Sequence, residues 1–186
     1  MVDQSSEGVL SPFLRRKRIS MVCPFLHGRI LDVGCGSGAL ASIVPAGSYL
    51  GIDVDEESLS NARQLHPEHR FQTKLPFDDS DFNTVVSLAV IEHVPQPTDF
   101  LAELVAHLAP STDARIVLTT PHPAVAWAHS VGARLGLFSL HASKQHKHFL
   151  GRSRLELLAK ACNLQLVLYR QFLWGANQIA VFKRKD

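Results

Sequence analysis

Two short stretches of the chain combine apolar runs with residue types that suit a nucleotide ligand. Residues 29–38 end an apolar run in a turn with a glycine at every second position: Gly34, Gly36 and Gly38. Residues 51–55 end another apolar run in Asp53. Glycine lets the backbone take positive φ angles and approach a ligand closely, and a carboxylate accepts hydrogen bonds from both hydroxyls of a ribose. The stretches therefore predict two strands of a βαβ unit that binds an adenosine-containing cofactor.

The composition of the chain bounds the class of protein. The chain has 186 residues, of which 46% are hydrophobic, and this predicts one domain over residues 1–186 with a sizeable core. The net charge of +2 gives no reason to expect a nucleic-acid partner. No apolar run is long enough to span a bilayer and the N-terminus lacks the apolar core of a signal peptide, so we expect a cytoplasmic protein without stable membrane insertion. The 3 cysteines form neither a disulfide framework nor a metal knuckle, so we expect them reduced.

Hydrophobic periodicity predicts seven strands that alternate with helices. The predicted strands are residues 29–33, 48–53, 69–73, 83–88, 115–119, 164–169 and 178–183. Short loops between alternating elements imply a doubly wound α/β fold, with a mainly parallel sheet covered on both faces. The last two strands are joined by a short loop, so they should pair antiparallel. In such a fold the ligand lies at the carboxyl ends of the strands.

The predicted helices begin and end at recognisable residues. An amphipathic N-terminal helix covers residues 11–26, and its four consecutive basic residues suit either a phosphate or RNA ligand or a solvated helix face. A short helix follows the glycine turn. Asp55 caps the helix after the second strand, and Pro110 stops a helix that begins near Thr98. Residues 153–156 form a capping box that predicts the start of the last helix.

The glycine turn alone is compatible with more than one cofactor. Gly34, Gly36 and Ala39 satisfy the G-x-G-x-x-G/A pattern of nicotinamide dinucleotide sites, and Asp53 lies at about the right distance. An NAD-binding oxidoreductase is therefore one interpretation. However, an isolated glycine fingerprint is a weak signal, and Asp32 places a negative charge where the pyrophosphate would bind.

Five stretches of the chain, in order, resemble the motifs of the class I S-adenosylmethionine-dependent methyltransferase family. They are residues 31–38 (LDVGCGSG), 51–55 (GIDVD), 75–87 (LPFDDSDFNTVVS), 92–94 (EHV) and 119–121 (TTP). Each motif is modest alone, and their common order makes the set specific. The resemblance covers about residues 13–186. It implies the family's Rossmann-like fold, a seven-stranded sheet whose last strand is antiparallel, and S-adenosyl-L-methionine as the cofactor.

The resemblance also implies which residues contact the cofactor. Asp32 would lie near the methionyl ammonium, and Asp53 would hold the ribose hydroxyls. The other implied contacts are Gly34, Cys35, Gly36, Gly38, Val54, Thr73, Lys74, Leu75, Leu88 and Ala89. Many family members carry an acid at the end of the third strand to receive the adenine amino group, whereas this chain has Gln72 in that region. Either Gln72 or a backbone carbonyl takes that role, or adenine is held more loosely.

Histidines at the strand ends are the candidate catalytic residues. Methyl transfer to oxygen or nitrogen often needs a base, and histidine titrates near neutral pH. His93 lies in the EHV stretch and His122 follows the TTP stretch, so both are candidates; His93 equally suits a histidine that anchors a helix start. The histidines of residues 146–148 suggest a metal site, but no cysteine or carboxylate completes a ligand spacing, so we expect no metal.

The connection over residues 121–150 is too long for a plain strand-to-helix loop, and long connections in compact domains are usually functional. Its apolar residues at roughly helical spacing are Trp127, Val131, Leu135 and Phe138. They predict a lid-like insertion that covers an apolar or lipid-linked acceptor. The alternative is a segment that caps the sheet's own core.

The acceptor class follows from motifs that the chain lacks. It has no Asn-Pro-Pro-Tyr motif, no Pro-Cys pair and no added RNA-binding module. The sequence therefore favours methylation of an oxygen or nitrogen on a small-molecule acceptor, free or linked to a lipid or glycan. The alternative from another class is a non-catalytic S-adenosylmethionine-binding partner or regulatory subunit.

Overall fold

Seven strands form one sheet in the computed structural model, which describes residues 11–123 and 150–185. Within these ranges the strands are β1 (Ile30–Val33), β2 (Tyr49–Ile52), β3 (Arg70–Gln72), β4 (Thr84–Leu88), β5 (Arg115–Pro121), β6 (Leu164–Phe172) and β7 (Asn177–Arg184). Their order across the sheet is β3-β2-β1-β4-β5-β7-β6. Every strand that the periodicity predicts is present, and its bounds differ by a few residues at most.

The strand directions follow from the connections. Strands β1 to β5 are paired in parallel, whereas β7 is antiparallel to both β5 and β6. The tight turn of residues 173–176 leaves no room for a crossover helix, so β7 folds back beside β6. The N–H of Ala176 donates to the carbonyl of Leu173 at 2.9 Å and closes this turn. The predicted doubly wound, mainly parallel sheet with an antiparallel last strand is confirmed.

The described residues also form four α-helices: α1 (Ser11–Val22), α2 (Glu56–Leu65), α3 (Pro97–Ala106) and α4 (Arg152–Ala161). Helix α1 ends before residue 26, because Pro24 has no N–H to continue the helical hydrogen bonds, and Cys23–Phe25 form a 3-10 turn. The short helix predicted after the glycine turn is reduced to a single 3-10 turn, Ala41–Ile43.

The observed N-cap is the one predicted from the sequence at helix α2, and it is not at helix α4. Asp55 caps α2 as predicted, since its carboxylate accepts from the N–H of Ser58 at 3.2 Å. The predicted capping box of Ser153 and Glu156 is wrong. Helix α4 starts at Arg152 with Gly151 as its N-cap and no side-chain cap, so Ser153 already lies inside the first turn. Glu156 instead accepts from Arg152 at 2.9 Å, one helical turn away.

Side chains of the sheet alternate between two buried layers. Leu31 of β1 packs into a layer with residues of β4, β5, α3 and α4. Ile30 packs into the layer on the opposite face, which also holds Tyr49 of β2. Because strand side chains alternate, Asp32 points to the same face as Ile30. The buried acid of the first motif therefore shares its face with Tyr49.

The carboxyl ends of β1, β2, β4 and β5 meet at one edge of the sheet, because these strands are parallel. Helix α1 also reaches this edge, where the Arg18 guanidinium donates to Oδ1 of Asn177 at 3.3 and 3.2 Å. The predicted lid over residues 121–150, including its apolar residues and the histidines of residues 146–148, lies outside the described residues except at its two ends.

Candidate cofactor site

The turn after β1 holds backbone conformations that favour glycine. Gly34, Gly36 and Gly38 have φ angles of 82°, 52° and 76°. The N–H groups of Gly34 and Cys35 donate to the carbonyl of Ile52 at 2.8 and 3.0 Å, which fixes the turn against the end of β2. A Cβ at Gly36 would meet no atom within 4 Å, so this glycine faces open space that a ligand can enter.

Asp53 follows β2 and holds two backbone N–H groups. Its Oδ2 accepts from Gly36 at 2.8 Å, and its Oδ1 accepts from Asp55 at 3.0 Å. The side chain is half-buried, and each carboxylate oxygen has a further lone pair for another donor. Asp53 thus ties the glycine turn to β2 and can still accept hydrogen bonds from a ribose.

Asp32 is a buried acid, only 2% exposed, near the end of β1. The Tyr49 hydroxyl donates to its Oδ2 at 2.7 Å, while its Oδ1 has no hydrogen-bond partner among the described residues. Burial raises the pKa of Asp32 from 3.8 to about 7; the hydrogen bond from Tyr49 opposes this rise and the charge of Asp53 adds to it. Burial also raises the pKa of the Cys35 thiol and of the Tyr49 phenol, so both stay protonated at neutral pH.

A cavity of about 260 Å³ lies between the glycine turn, the end of β4 and helix α1. Six of the cofactor contacts expected from the sequence line it: Asp32, Gly34, Cys35, Gly36, Leu88 and Ala89. Helix α1 contributes Arg15, Arg18 and Ile19 to the same lining. The cavity therefore carries an acid from the sheet and two guanidinium groups from the helix.

The end of β4 is strained where it lines the cavity. Ala89 has a φ of 59°, in the left-handed region that a residue with a Cβ rarely adopts. Its N–H donates to the carbonyl of Thr119 on β5 at 2.8 Å, which holds the strained backbone in place. Strain of this kind, on the order of 1–3 kcal/mol, is typical of residues at binding sites.

The residues expected around adenine lie farther out. Val54 is 91% exposed, Thr73 and Lys74 are exposed, and Leu75 is half-buried. The Gln72 side chain donates through Nε2 to the carbonyl of Lys74 at 2.9 Å and so shapes the turn after β3. The part of the cavity that the described residues line does not include these side chains, so their contact with adenine stays a prediction.

The candidate catalytic histidines lie near the same edge in different surroundings. His93 is exposed in the turn after β4. His122 is half-buried, and its ring Nε2 lies 2.8 Å from Nε2 of Gln171. The backbone N–H of His122 donates to the carbonyl of Ala176 at 3.0 Å. Neither is among the described residues that line the cavity, so their catalytic role also stays a prediction.

Glu92, the neighbour of His93, is a second buried acid at this edge, after Asp32. It is 3% exposed, and its Oε2 has no hydrogen-bond partner in the described part of the chain. Burial raises the pKa of Glu92, and a backbone hydrogen bond and the charge of Arg18 oppose the rise. Burial likewise lowers the pKa of Arg18, while the charge of Glu92 raises it. The side chain that Arg18 contacts directly is Asn177, at the start of β7.

Sequence reasoning missed the arginines of α1 as cavity residues. Arg15 and Arg18 are three positions apart, which places them on one helix face, so a signal was available in the pattern. Among the described residues no cluster of three or more histidine, cysteine or acidic side chains could hold a metal ion. No helix in these ranges is long and apolar enough to cross a membrane.

The model of a family described as "Methyltransferase domain" matches residues 10–169 of this chain. The chain belongs to the class I S-adenosylmethionine-dependent methyltransferase family. Its ubiquinone biosynthesis O-methyltransferase relative from Hahella chejuensis is 30% identical over 151 residues, which cover 74% of this chain and 63% of that protein. The protein of the same name from Paramagnetospirillum magneticum is 33% identical over 122 residues, which cover 60% of this chain and 48% of that protein. The chain thus spans less than two thirds of the length of either relative.

Solved structures of methyltransferases share the fold. The magnesium protoporphyrin IX methyltransferase from Synechocystis, solved with S-adenosylhomocysteine, gives a TM-score of 0.66 at 17% identity. The match covers 94% of this chain and 83% of that one. A putative methyltransferase from Haloferax volcanii, solved in complex with a methyltransferase activator, gives a TM-score of 0.70 at 14% identity. The match covers 93% of this chain and 89% of that one. These likenesses confirm the Rossmann-like methyltransferase fold, and S-adenosylmethionine is the cofactor of the family.

Proposed function

We propose that the protein transfers a methyl group from S-adenosylmethionine to an oxygen or nitrogen atom of a small-molecule acceptor. The observation that carries this proposal is the charge pattern of the cavity. Asp32 supplies a carboxylate from the sheet, and Arg15 and Arg18 supply guanidinium groups from α1. The methionyl part of the cofactor is an amino-acid zwitterion, so its ammonium suits Asp32 and its carboxylate suits the arginines.

The same site fits a nicotinamide dinucleotide poorly. Dinucleotide sites place the pyrophosphate on the N-terminus of an α-helix that follows the glycine turn. Residues 34–48, all of them described, contain only the 3-10 turn Ala41–Ile43 and no α-helix. A pyrophosphate there would also meet the carboxylate of Asp32 without a helix dipole to offset the repulsion.

The adenosine end of the cofactor would extend from the cavity past the glycine turn. Asp53 would accept from the ribose hydroxyls with the lone pairs that Gly36 and Asp55 leave open. Val54 and the turn of residues 73–75 would border the adenine. Since Val54 is 91% exposed, the adenine would bury an apolar side chain that now faces water.

The bound cofactor supplies an electrophilic methyl group, so the chain contributes alignment, charge and a proton acceptor. Glu92 follows β4 at the same edge of the sheet, directly before the candidate His93, and its carboxylate is buried. A raised pKa makes this carboxylate a stronger base than an exposed glutamate. Glu92 therefore joins His93 and His122 as a candidate to receive the acceptor's proton.

The acceptor atom is more specifically an oxygen in this proposal. Relatives from several bacteria are named as O-methyltransferases of ubiquinone biosynthesis, at about 30% identity over part of the chain. The identity supports the reaction type, and it does not select an acceptor molecule.

The test is transfer of a tritiated methyl group from S-adenosylmethionine to a panel of hydroxylated aromatic acceptors and amines. We expect label in at least one hydroxyl-bearing acceptor and little or none with Asp53→Ala. Asp113→Ala is the matched control, because Asp113 is a 78% exposed acid that lies 3.6 Å from Lys183 and does not line the cavity. Cofactor binding without transfer to any acceptor would instead favour a non-catalytic binding partner or regulatory subunit.

A further inference from the structure

The two oxygens of the Asp32 carboxylate are in different states. Oδ2 accepts from the Tyr49 hydroxyl at 2.7 Å, and this contact is buried. Oδ1 is equally buried and has no hydrogen-bond partner in residues 11–123 and 150–185. An unsatisfied buried acceptor is unfavourable, and Asp32 lines the cavity, so Oδ1 is the carboxylate oxygen left to accept from a donor that binds beside this residue.

The sheet register fixes this division. Tyr49 is paired with Ile30, and Gly51 is paired with Asp32, so Tyr49 and Asp32 lie diagonally on one face. Gly51 has no side chain to compete for the carboxylate. The Tyr49 ring makes edge contacts with His69 and Phe71, with ring centroids 5.4 and 5.7 Å apart.

We propose that Tyr49 is a positioning residue, which occupies Oδ2 of Asp32 and so reserves Oδ1 for the ammonium group of the cofactor. This inference rests on the proposed function. Tyr49 itself touches neither the cofactor nor the acceptor; it acts through Asp32. Its hydroxyl holds the rotamer of the carboxylate and stabilises the charged form that an ammonium group needs.

The charged and titratable groups around Asp32 decide how strongly its affinity for a cation depends on pH. Asp53 faces it from the end of β2 and Cys35 from the glycine turn, while Arg15 and Arg18 face the cavity from α1. The pKa of Asp32 is raised to about 7, so the free protein holds this carboxyl partly protonated at neutral pH. Loss of the Tyr49 hydrogen bond raises this pKa further, which weakens binding of a cation.

The test compares Tyr49→Phe with the wild type in calorimetric titrations with S-adenosylhomocysteine from about pH 5.5 to about pH 8.5. The matched control is Tyr169→Phe, since Tyr169 is the other tyrosine of the chain and donates to Oε1 of Gln178 at 2.7 Å. We expect Tyr49→Phe to bind about fivefold or more weakly at pH 7, with the acid limb of its affinity profile moved to higher pH. The limb at high pH, where the ligand's own ammonium is deprotonated, should be the same for all variants.

The outcomes separate the inference from the proposed function. If the wild type does not bind S-adenosylhomocysteine, the proposed function fails. If the wild type binds and Tyr49→Phe shows the same affinity and the same acid limb, the positioning role is wrong and the proposed function stands. A uniform loss of affinity at every pH means that Tyr49 acts through packing alone, and this also overturns the inference.

A measurement on the wild type keeps the inference testable if Tyr49→Phe does not fold. The Asp32 carboxyl carbon can be followed by nuclear magnetic resonance during a pH titration. We expect it to titrate near pH 7 in the free protein and well below that in the complex. An Asp32 resonance that S-adenosylhomocysteine leaves unchanged would overturn the inference.

Discussion

Replacing Asp32 by asparagine should make the free protein more stable, although it removes a residue of the proposed site. In the folded chain the pKa of Asp32 is raised from 3.8 to about 7 by burial. A raised pKa means that the folded state holds this proton more tightly than the unfolded state. The carboxyl group therefore contributes most stability below pH 4 and loses it as the pH rises to 7 and above.

The size of the effect follows from the two pKa values. Each pH unit between them is worth 1.36 kcal/mol, so ionisation of Asp32 lowers the free energy of unfolding by about 4 kcal/mol at pH 7. At pH 4.5 ionisation of Asp32 lowers the free energy of unfolding by only about 1 kcal/mol. Asparagine keeps an acceptor for Tyr49, at a cost of about 1 kcal/mol for its unpaired amide nitrogen. Asp32→Asn should thus raise the free energy of unfolding by about 3 kcal/mol at pH 7 and leave it nearly unchanged at pH 4.5.

Thermal unfolding followed by circular dichroism at the two pH values checks this. For a chain of this length, about 3 kcal/mol corresponds to a rise in Tm of roughly 6–12 °C at pH 7. The reasoning is refuted if Asp32→Asn has the same Tm as the wild type at pH 7, or if its gain is equally large at both pH values. The second result would mean that packing, and not the buried charge, limits stability at this position.

Further predictions concern proton release, the glycine turn and the half-buried Arg18. Binding of S-adenosylhomocysteine at pH 7 should release about half a proton from Asp32, and more at lower pH, as measured by calorimetry in buffers of different ionisation enthalpy. Gly34→Ala should lower the free energy of unfolding by more than about 2 kcal/mol, since its Cβ would lie 2.2 Å from a Val90 methyl at a φ of 82°. Gly36→Ala should lower it by only about 1 kcal/mol, because nothing lies within 4 Å, and yet weaken cofactor binding. Arg18→Met should destabilise the protein by about 1 kcal/mol in urea unfolding, and by less on an Asn177→Ala background, because the hydrogen bonds between these two side chains are then already lost.

Local patterns in the sequence predicted most of the fold. Short apolar runs mark most of the strands, and the short β6–β7 connection by itself predicts that these two strands pair antiparallel. The capping box failed because α4 starts at Arg152, with Gly151 as the N-cap, which moves Ser153 inside the helix. A pattern of two residues cannot tell a cap from a first turn when the backbone of the preceding glycine serves equally well.

The candidate site was predictable where one motif builds it and not where distant elements meet. The glycine turn and Asp53 are joined by a hydrogen bond between residues 17 positions apart, across the single connection from β1 to β2. The spacing of Arg15 and Arg18 puts them on one helix face, but the contact of Arg18 with Asn177 spans 159 positions, so only the folded chain shows that this face reaches the cavity. The charge state of Asp32 also depends on its burial and on Tyr49, which only the folded sheet brings together.

Calorimetry with S-adenosylhomocysteine tests the central claim most directly, with Asp53→Ala and the exposed-acid control Asp113→Ala alongside. We expect saturable binding to the wild type and to Asp113→Ala, and affinity lower by about tenfold or more for Asp53→Ala, which loses two hydrogen bonds to a ribose. Absence of binding to S-adenosylhomocysteine, with saturable binding of a nicotinamide dinucleotide, would contradict it.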